Sequence, residues 1–208
     1  MPKDTFFNLP EEKREKILAE ALYEFENNDF DQASINQIVI RSEISKGSFY
    51  QYFEDKKDLY KYIISLIVQK KMVYITPVMA NPLAHSFFDV IRDMNMTGLE
   101  FAKDNPQFIK IGNRLIKDTK HPIYAEIMGA NSNQAIDAYA FLLRKAIETG
   151  ELRPDIDVDM TARIIFKLSA DLIESNSDFS ADNWTEGLTD LLEKFMKLIA
   201  VGIKNQLS

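Results

Sequence analysis

Cysteine is absent from the 208 residues, which excludes disulfides and thiolate metal sites and suits a reducing compartment. Histidine occurs twice, as His85 and His121, without paired ligand spacing, so no metal site is expected. Glycine is scarce, at seven residues, and none sits in a phosphate-cradling loop or a nucleophile elbow. With its acids scattered as well, the chain offers no constellation for catalysis; neither an enzyme nor a cofactor is expected. The opening MPKDTFFNLPEEK has no basic stretch leading into an apolar run, so no secretory signal is expected. Apolar runs such as residues 62–68 are too short to span a bilayer. The expectation is a cytoplasmic protein without a membrane partner.

What is present points to a folded chain: 46% of residues are apolar, enough for one large or two modest domains with a real core. Net charge is −7. Residues 1–60 carry eight Lys/Arg against thirteen Asp/Glu, a balance of −5 that disfavours tight non-specific binding to nucleic acid. Arg41, Lys46, Lys56 and Lys57 nevertheless cluster together, so placement can outweigh the sum.

They cluster around residues 34–53, SINQIVIRSEISKGSFYQYF. Ile35, Ile38 and Val39 repeat at helical spacing behind Ser34, positioned as an N-cap. A break at Ser42-Glu43-Ile44 precedes a second short helix from Ser45. Two short helices joined by so tight a turn describe a helix-turn-helix, with Ile35, Ile38, Ile44, Phe49 and Phe53 as its inner side. Residues 44–59, ISKGSFYQYFEDKKDL, resemble the signature of TetR-type transcriptional regulators, and residues 13–21, KREKILAEA, resemble that family's first helix. Asp29 stands where such proteins usually carry the glycine that ends the first helix, so the left-handed cap there is expected to carry an extra cost, and Glu43 stands at the turn position where glycine is usual.

The candidate DNA contacts are Ser34, Gln37, Ser45, Lys46, Gly47, Ser48, Tyr50, Gln51, Tyr52 and Lys56. Ser45, Gly47 and Ser48 are small enough for close approach, and Gln51 can bond adenine N6 and N7 in the major groove. Tyr50, Tyr52 and Lys56 suit phosphates, unless one tyrosine packs inside. The resemblance places the same positions toward the groove.

In chain order, Asn8 or Thr5 is expected to cap a first helix with Pro10 in its first turn. Ile17, Leu18, Ala21, Leu22 and Phe25 form its apolar stripe, while Glu11, Lys13, Glu20 and Glu24 form a solvated face. Asp55 caps a long helix over about 56–75, broken by Pro77 and Pro82. The domain boundary falls there: 8–70 as a three-helix DNA-binding head, 71–208 as a larger helical body for effector binding and dimerisation. Helical patterns follow over 83–103, from Asn105-Pro106, from His121-Pro122 to Gly150, over 158–176, and from Asp182 to about 204, with a loop at 177–180. The fold class is all-α.

Two further sets remain open between core and function. Phe88, Met94, Phe101, Phe108, Met128 and Phe166 are ordinary core by spacing. By resemblance they would line a cavity for a small apolar effector, with Asn95, Asn113, Arg114, Tyr124, Asn131 and Tyr139 as its polar groups. Ile164, Leu168, Leu172, Leu188, Leu191, Phe195 and Leu198 exceed what one small core needs. By resemblance they would join two copies in a four-helix bundle, so that a homodimer presents two heads to double-stranded operator DNA. A ligand-released repressor is the function implied. The competing reading is a helical binding protein whose acidic head has little DNA affinity.

Overall fold

The computed structural model describes residues 1–117, 120–175 and 184–204. They form ten α-helices in the order α1 (Asp4–Phe7), α2 (Glu11–Asn27), α3 (Ile35–Arg41), α4 (Lys46–Tyr52), α5 (Lys56–Met79), α6 (Phe87–Asp104), α7 (Pro106–Lys117), α8 (Pro122–Glu148), α9 (Val158–Ser175) and α10 (Trp184–Ile203). A single 3-10 turn, Pro82–Ala84, precedes α6. No strand occurs among the described residues, only an isolated bridge between Leu152 and Lys204. The expected loop at 177–180 and the side chain of Asn131 lie outside the described residues.

The chain divides into two compact units, one of Met1–Lys70 with Gln107–Ile127, the other of Lys71–Pro106 with Met128–Ser208. The first is built on α2, α3 and α4, with Ile17, Ala21, Phe25, Ile38, Phe49, Phe53, Leu59 and Ile63 buried at its centre. Leu18, Leu22, Ile35 and Ile44 are only half-buried at its margin. The segment 107–127 returns to this unit through its cations. Arg114 reaches Asp29 at 2.7 Å and the Glu26 carbonyl at 2.9 Å. Lys110 and Gln107 share the Glu26 carboxylate at 2.9 and 3.0 Å, and Lys61 holds Glu126 at 2.6 Å. The surplus acid at the end of α2 thus meets bases from 80 residues further on.

Several local expectations change. Residues 4–7, unassigned by pattern, form α1, and Pro10 rather than Asn8 or Thr5 occupies the N-cap of α2. Ser34 stands at the N-cap of α3 but makes no side-chain cap bond. Asp29 escapes left-handed backbone because α2 ends at Asn28 in extended geometry; Glu43, at φ 56°, carries that conformation. It forms a Schellman ending for α3: Ile44 N–H donates to Val39 O at 3.0 Å and Glu43 N–H to Ile40 O at 3.1 Å. Pro77 does not end α5, which runs on to Met79. Only the bond from residue 77 to the Val73 carbonyl is forfeited, late enough in the helix to be tolerated.

That continuity also corrects the run-by-run reading of membrane propensity. The stretch Lys56–Ala84 is long and apolar enough to cross a bilayer by length and composition. Lys70 and Lys71 lie at its middle, where hydrocarbon would cost each about 2.5–3.5 kcal/mol. At its start Leu59 and Ile63 are fully buried in the core of the first unit, whereas Val68, Met72 and Val73 further along stay exposed.

In the second unit, α10 packs on α6 and α9. Leu188, Leu192, Phe195, Ile199 and Ile203 recur at helical spacing along its inner side and meet Val90, Ile91, Leu99, Tyr139, Leu143 and Ile165 in one core.

Candidate nucleic-acid interface

Helix α4 starts where Ser45 Oγ accepts from Ser48 N–H at 2.9 Å, with the two hydroxyls 2.8 Å apart. Phe49 and Tyr52 turn inward, which leaves Lys46, Gly47, Tyr50 and Gln51 together on the outer side. Gln37 on α3 and Ser45 are exposed too, whereas Ser34 and Ser48 are half-buried. Tyr52, expected at phosphate, is only 6% exposed and packs against Phe6, its ring centroid 6.3 Å away. Lys56 is also occupied: its ammonium donates to the carbonyls of Asp31 and Ala33 at 3.0 and 2.9 Å and lies over the Phe30 ring. It ties the entrance of α3 to that of α5.

Of the four expected cations, Lys46 alone makes no ion pair or hydrogen bond among the described residues. Lys57 lies 3.4 Å from Glu126. Arg41 is held by Glu20 at 2.8 Å and Glu24 at 2.7 Å, and stacks on the Tyr23 ring. Glu24, read as part of a solvated face, is 4% exposed. Its carboxylate accepts from Ser34 N–H at 2.8 Å, Asn28 Nδ2 at 3.2 Å and Arg41 Nη2 at 2.7 Å. One buried acid therefore fixes both ends of α3 against α2. The signal was present, since Glu24 follows Ile17 and Ala21 on the inward stripe.

A second set of supports had no sequence signal. The segment leading into α1 closes the last turn of α4, whose carbonyls lack intrahelical partners. Lys3 N–H donates to Tyr52 O at 2.8 Å, Lys3 Nζ to Tyr50 O at 2.8 Å, and the Thr5 hydroxyl to Gln51 O. Phe6 is fully buried against Phe53 and Tyr62.

The other candidate sets scatter. Phe108, Asn113 and Tyr124 belong to the first unit, and Phe88, Met94, Phe101, Met128, Tyr139 and Phe166 to the second. Phe88, Met94 and Phe166 pack onto the core there. Phe101 is buried edge-on to Tyr74. The Tyr139 phenol, pushed up in pKa by burial, lies beside Ser169, whose hydroxyl finds no hydrogen-bond partner of good geometry. Asn95 bonds its own helix at Ile91 O, and Arg114 is committed to α2. None of these residues lines the cavities of about 370 and 110 Å³ in the second unit. The expected interface set divides likewise. Leu188, at 3% exposure, and Phe195 are consumed by the chain's own core, with Leu172 and Leu191 packed against it. Ile164, Leu168 and Leu198 stay exposed, joined by Met160 and Val201.

A short helix presented by a tight turn, in a chain whose other unit is a helical body with exposed apolar residues on α9 and α10, defines a helix-turn-helix DNA-binding regulator. The model of bacterial regulatory proteins of the TetR family matches residues 17–63. A TetR family transcriptional regulator from Chloroflexus aurantiacus is 31% identical, with a TM-score of 0.75 over 99% of this chain and 100% of that one. The chain belongs to the TetR family of transcriptional regulators. A TetR-like regulator from Rhodococcus sp. RHA1 shares the fold at 18% identity and a TM-score of 0.72, covering 94% of this chain and 100% of that one. So does the regulator FadR from Bacillus subtilis, solved in complex with stearoyl-CoA, at 15% identity and 0.70, covering 88% and 96%. No curated protein matches the chain.

Proposed function

We propose that the chain is a cytoplasmic, homodimeric repressor that a small apolar effector releases from its operator, with 8–70 as the DNA-binding domain and 71–208 as the effector-binding and dimerisation domain. The observation that carries the reading is the outer side of α4, where Lys46, Gly47, Tyr50 and Gln51 stand exposed together. Gln51 reads base edges, Lys46 and Tyr50 engage phosphates, and Ser45, Gly47 and Ser48 allow close approach. Ser34 and Gln37 flank them on α3.

Dimerisation uses Met160, Ile164 and Leu168 on α9 with Leu198 and Val201 on α10, the last two 70% and 85% exposed. Two copies of this stripe form a four-helix bundle and set the separation of the heads. Helix α5 begins beside the DNA-binding motif and ends in the second unit, so an effector that favours one arrangement of the body acts on the half-site spacing through it. The stearoyl-CoA held by the Bacillus protein supports an effector with an apolar chain.

Titration of the purified chain against its own upstream DNA, with and without stearoyl-CoA and shorter acyl chains, tests this. Release by one of them is expected; identical DNA affinity with every one sinks the switch. The internal pairing of Arg41, Lys56 and Lys57 supports the rival reading of a head with little DNA affinity. A gel shift at low salt separates the two, because the rival predicts no retarded band.

A further inference from the structure

The final turn of α5, the 3-10 turn and the first turns of α6 enclose an open cavity of about 370 Å³, lined by Pro77, Val78, Ala80, Asn81, His85, Val90 and Asp93. A smaller recess of about 110 Å³ shares His85 and Val90 and extends the apolar wall through Leu83, Phe87, Leu142 and Ala146. The larger cavity falls in the range that holds small ligands. None of the residues expected to line an effector site contributes to it.

The charges around it leave an uneven balance. Asp89 accepts from the Ser86 hydroxyl at 2.7 Å and pairs with Arg92 Nη2 at 2.7 Å. Glu151 is held by the Phe87 N–H, at 2.9 and 3.0 Å to its two oxygens, and Lys145 by Glu148 at 2.7 Å. Asp93 has only the more distant Nε of the same Arg92, at 3.5 Å. Of the two acids that share Arg92, Asp93 is thus the more weakly paired, and it lines the cavity with the amide of Asn81 and the imidazole of His85. The remaining wall is aliphatic.

We propose that this cavity is a binding site for a small organic cation, a primary amine carrying an aliphatic or ring body. The ammonium bonds Asp93 with Asn81 or His85 alongside, and the body lies on Pro77, Val78, Ala80 and Val90. Pro77 gives no hydrogen bond to the Val73 carbonyl, and Ala80 N–H reaches Pro77 O at 3.3 Å. The last turn of α5 is therefore weakly held, and an occupant bridging it to α6 fixes it. That such an occupant alters DNA binding rests on the function proposed above; the binding itself does not.

Calorimetric titration of the full chain near neutral pH with n-octylamine, n-octanol and n-octanoate tests the site. Octylamine is expected to bind once per chain, octanol at least fivefold more weakly, and octanoate not measurably. Asp93→Asn lowers the octylamine affinity at least fivefold, and Ala80→Trp, at an exposed position, abolishes binding by filling the cavity. Both variants are expected to keep the wild-type unfolding midpoint. Octanoate binding as well as octylamine, no heat with octylamine, or both variants binding it like wild type overturns the proposal. DNA affinity of the same preparations is read by anisotropy. A ligand-free protein that binds no DNA overturns the regulator reading and leaves the site standing. Octylamine that binds without changing DNA affinity overturns the coupling through α5.

Discussion

Replacing Glu24 by Gln changes one oxygen to an amide nitrogen and nothing in volume. In the native head the two carboxylate oxygens divide their work: one accepts from Ser34 N–H and Asn28, the other from Arg41 Nη2. The Gln carbonyl can keep Ser34, but its amide then points a donor at the guanidinium. Arg41 retains Glu20, and its side chain is 28% exposed, so the full 3–5 kcal/mol of an orphaned buried charge does not apply. Loss of one charge-assisted bond sets the scale, at about 1.5–3 kcal/mol. Urea unfolding followed by far-ultraviolet circular dichroism, at fixed protein concentration, reads this directly. A double-mutant cycle with Arg41→Met is expected to return a coupling of similar size. A loss below about 0.5 kcal/mol, with no coupling, would refute the view that this acid holds α3 to α2.

Glu43→Gly is expected to stabilise the head by about 0.5–1 kcal/mol, because only glycine adopts φ 56° without strain and the Lys16–Glu43 pair it removes is exposed. A lower urea midpoint would contradict this. Lys3→Ala with Thr5→Ala uncovers the last carbonyls of α4 and should cost about 1 kcal/mol per bond lost, with protease cleavage of residues 1–8 as the sensitive readout. Burial pushes the Tyr60 phenol up to about 12. The unfolded chain ionises it near pH 10, so its contribution is complete below that pH and is lost as pH rises toward 12, on the order of 2–3 kcal/mol. Tyr60→Phe should flatten that part of the stability profile; an unchanged slope would count against the assignment.

The helices of the body were legible because apolar residues recur at 3.6 spacing, and the head because 34–53 pairs such spacing with a turn. What stayed hidden depends on partners distant in sequence. Tyr52 and Tyr50 differ in no local property, yet one faces Phe6 and the other stands exposed. Nothing around Asp29 announces Arg114, the base that pairs with it. Leu188 and Phe195 share the composition of Leu198, and only the phase of α10 against α6 decides which of them the chain buries for itself. Glu24 was misread for the opposite reason: its spacing from Ile17 and Ala21 already put it on the inward side, but its charge assigned it to the solvated face, and only Arg41 and Ser34 N–H supply the partners that let it be buried.

The most direct test of the account is the affinity of the purified chain for a duplex from its own upstream region, measured across a salt series beside Lys46→Ala and Gln51→Ala. The account predicts that Lys46→Ala weakens binding to all sequences and lowers the salt slope by about 1, while Gln51→Ala costs about 1–3 kcal/mol at the specific site alone. Wild-type affinity and selectivity in both variants, or no binding at low salt, would contradict it.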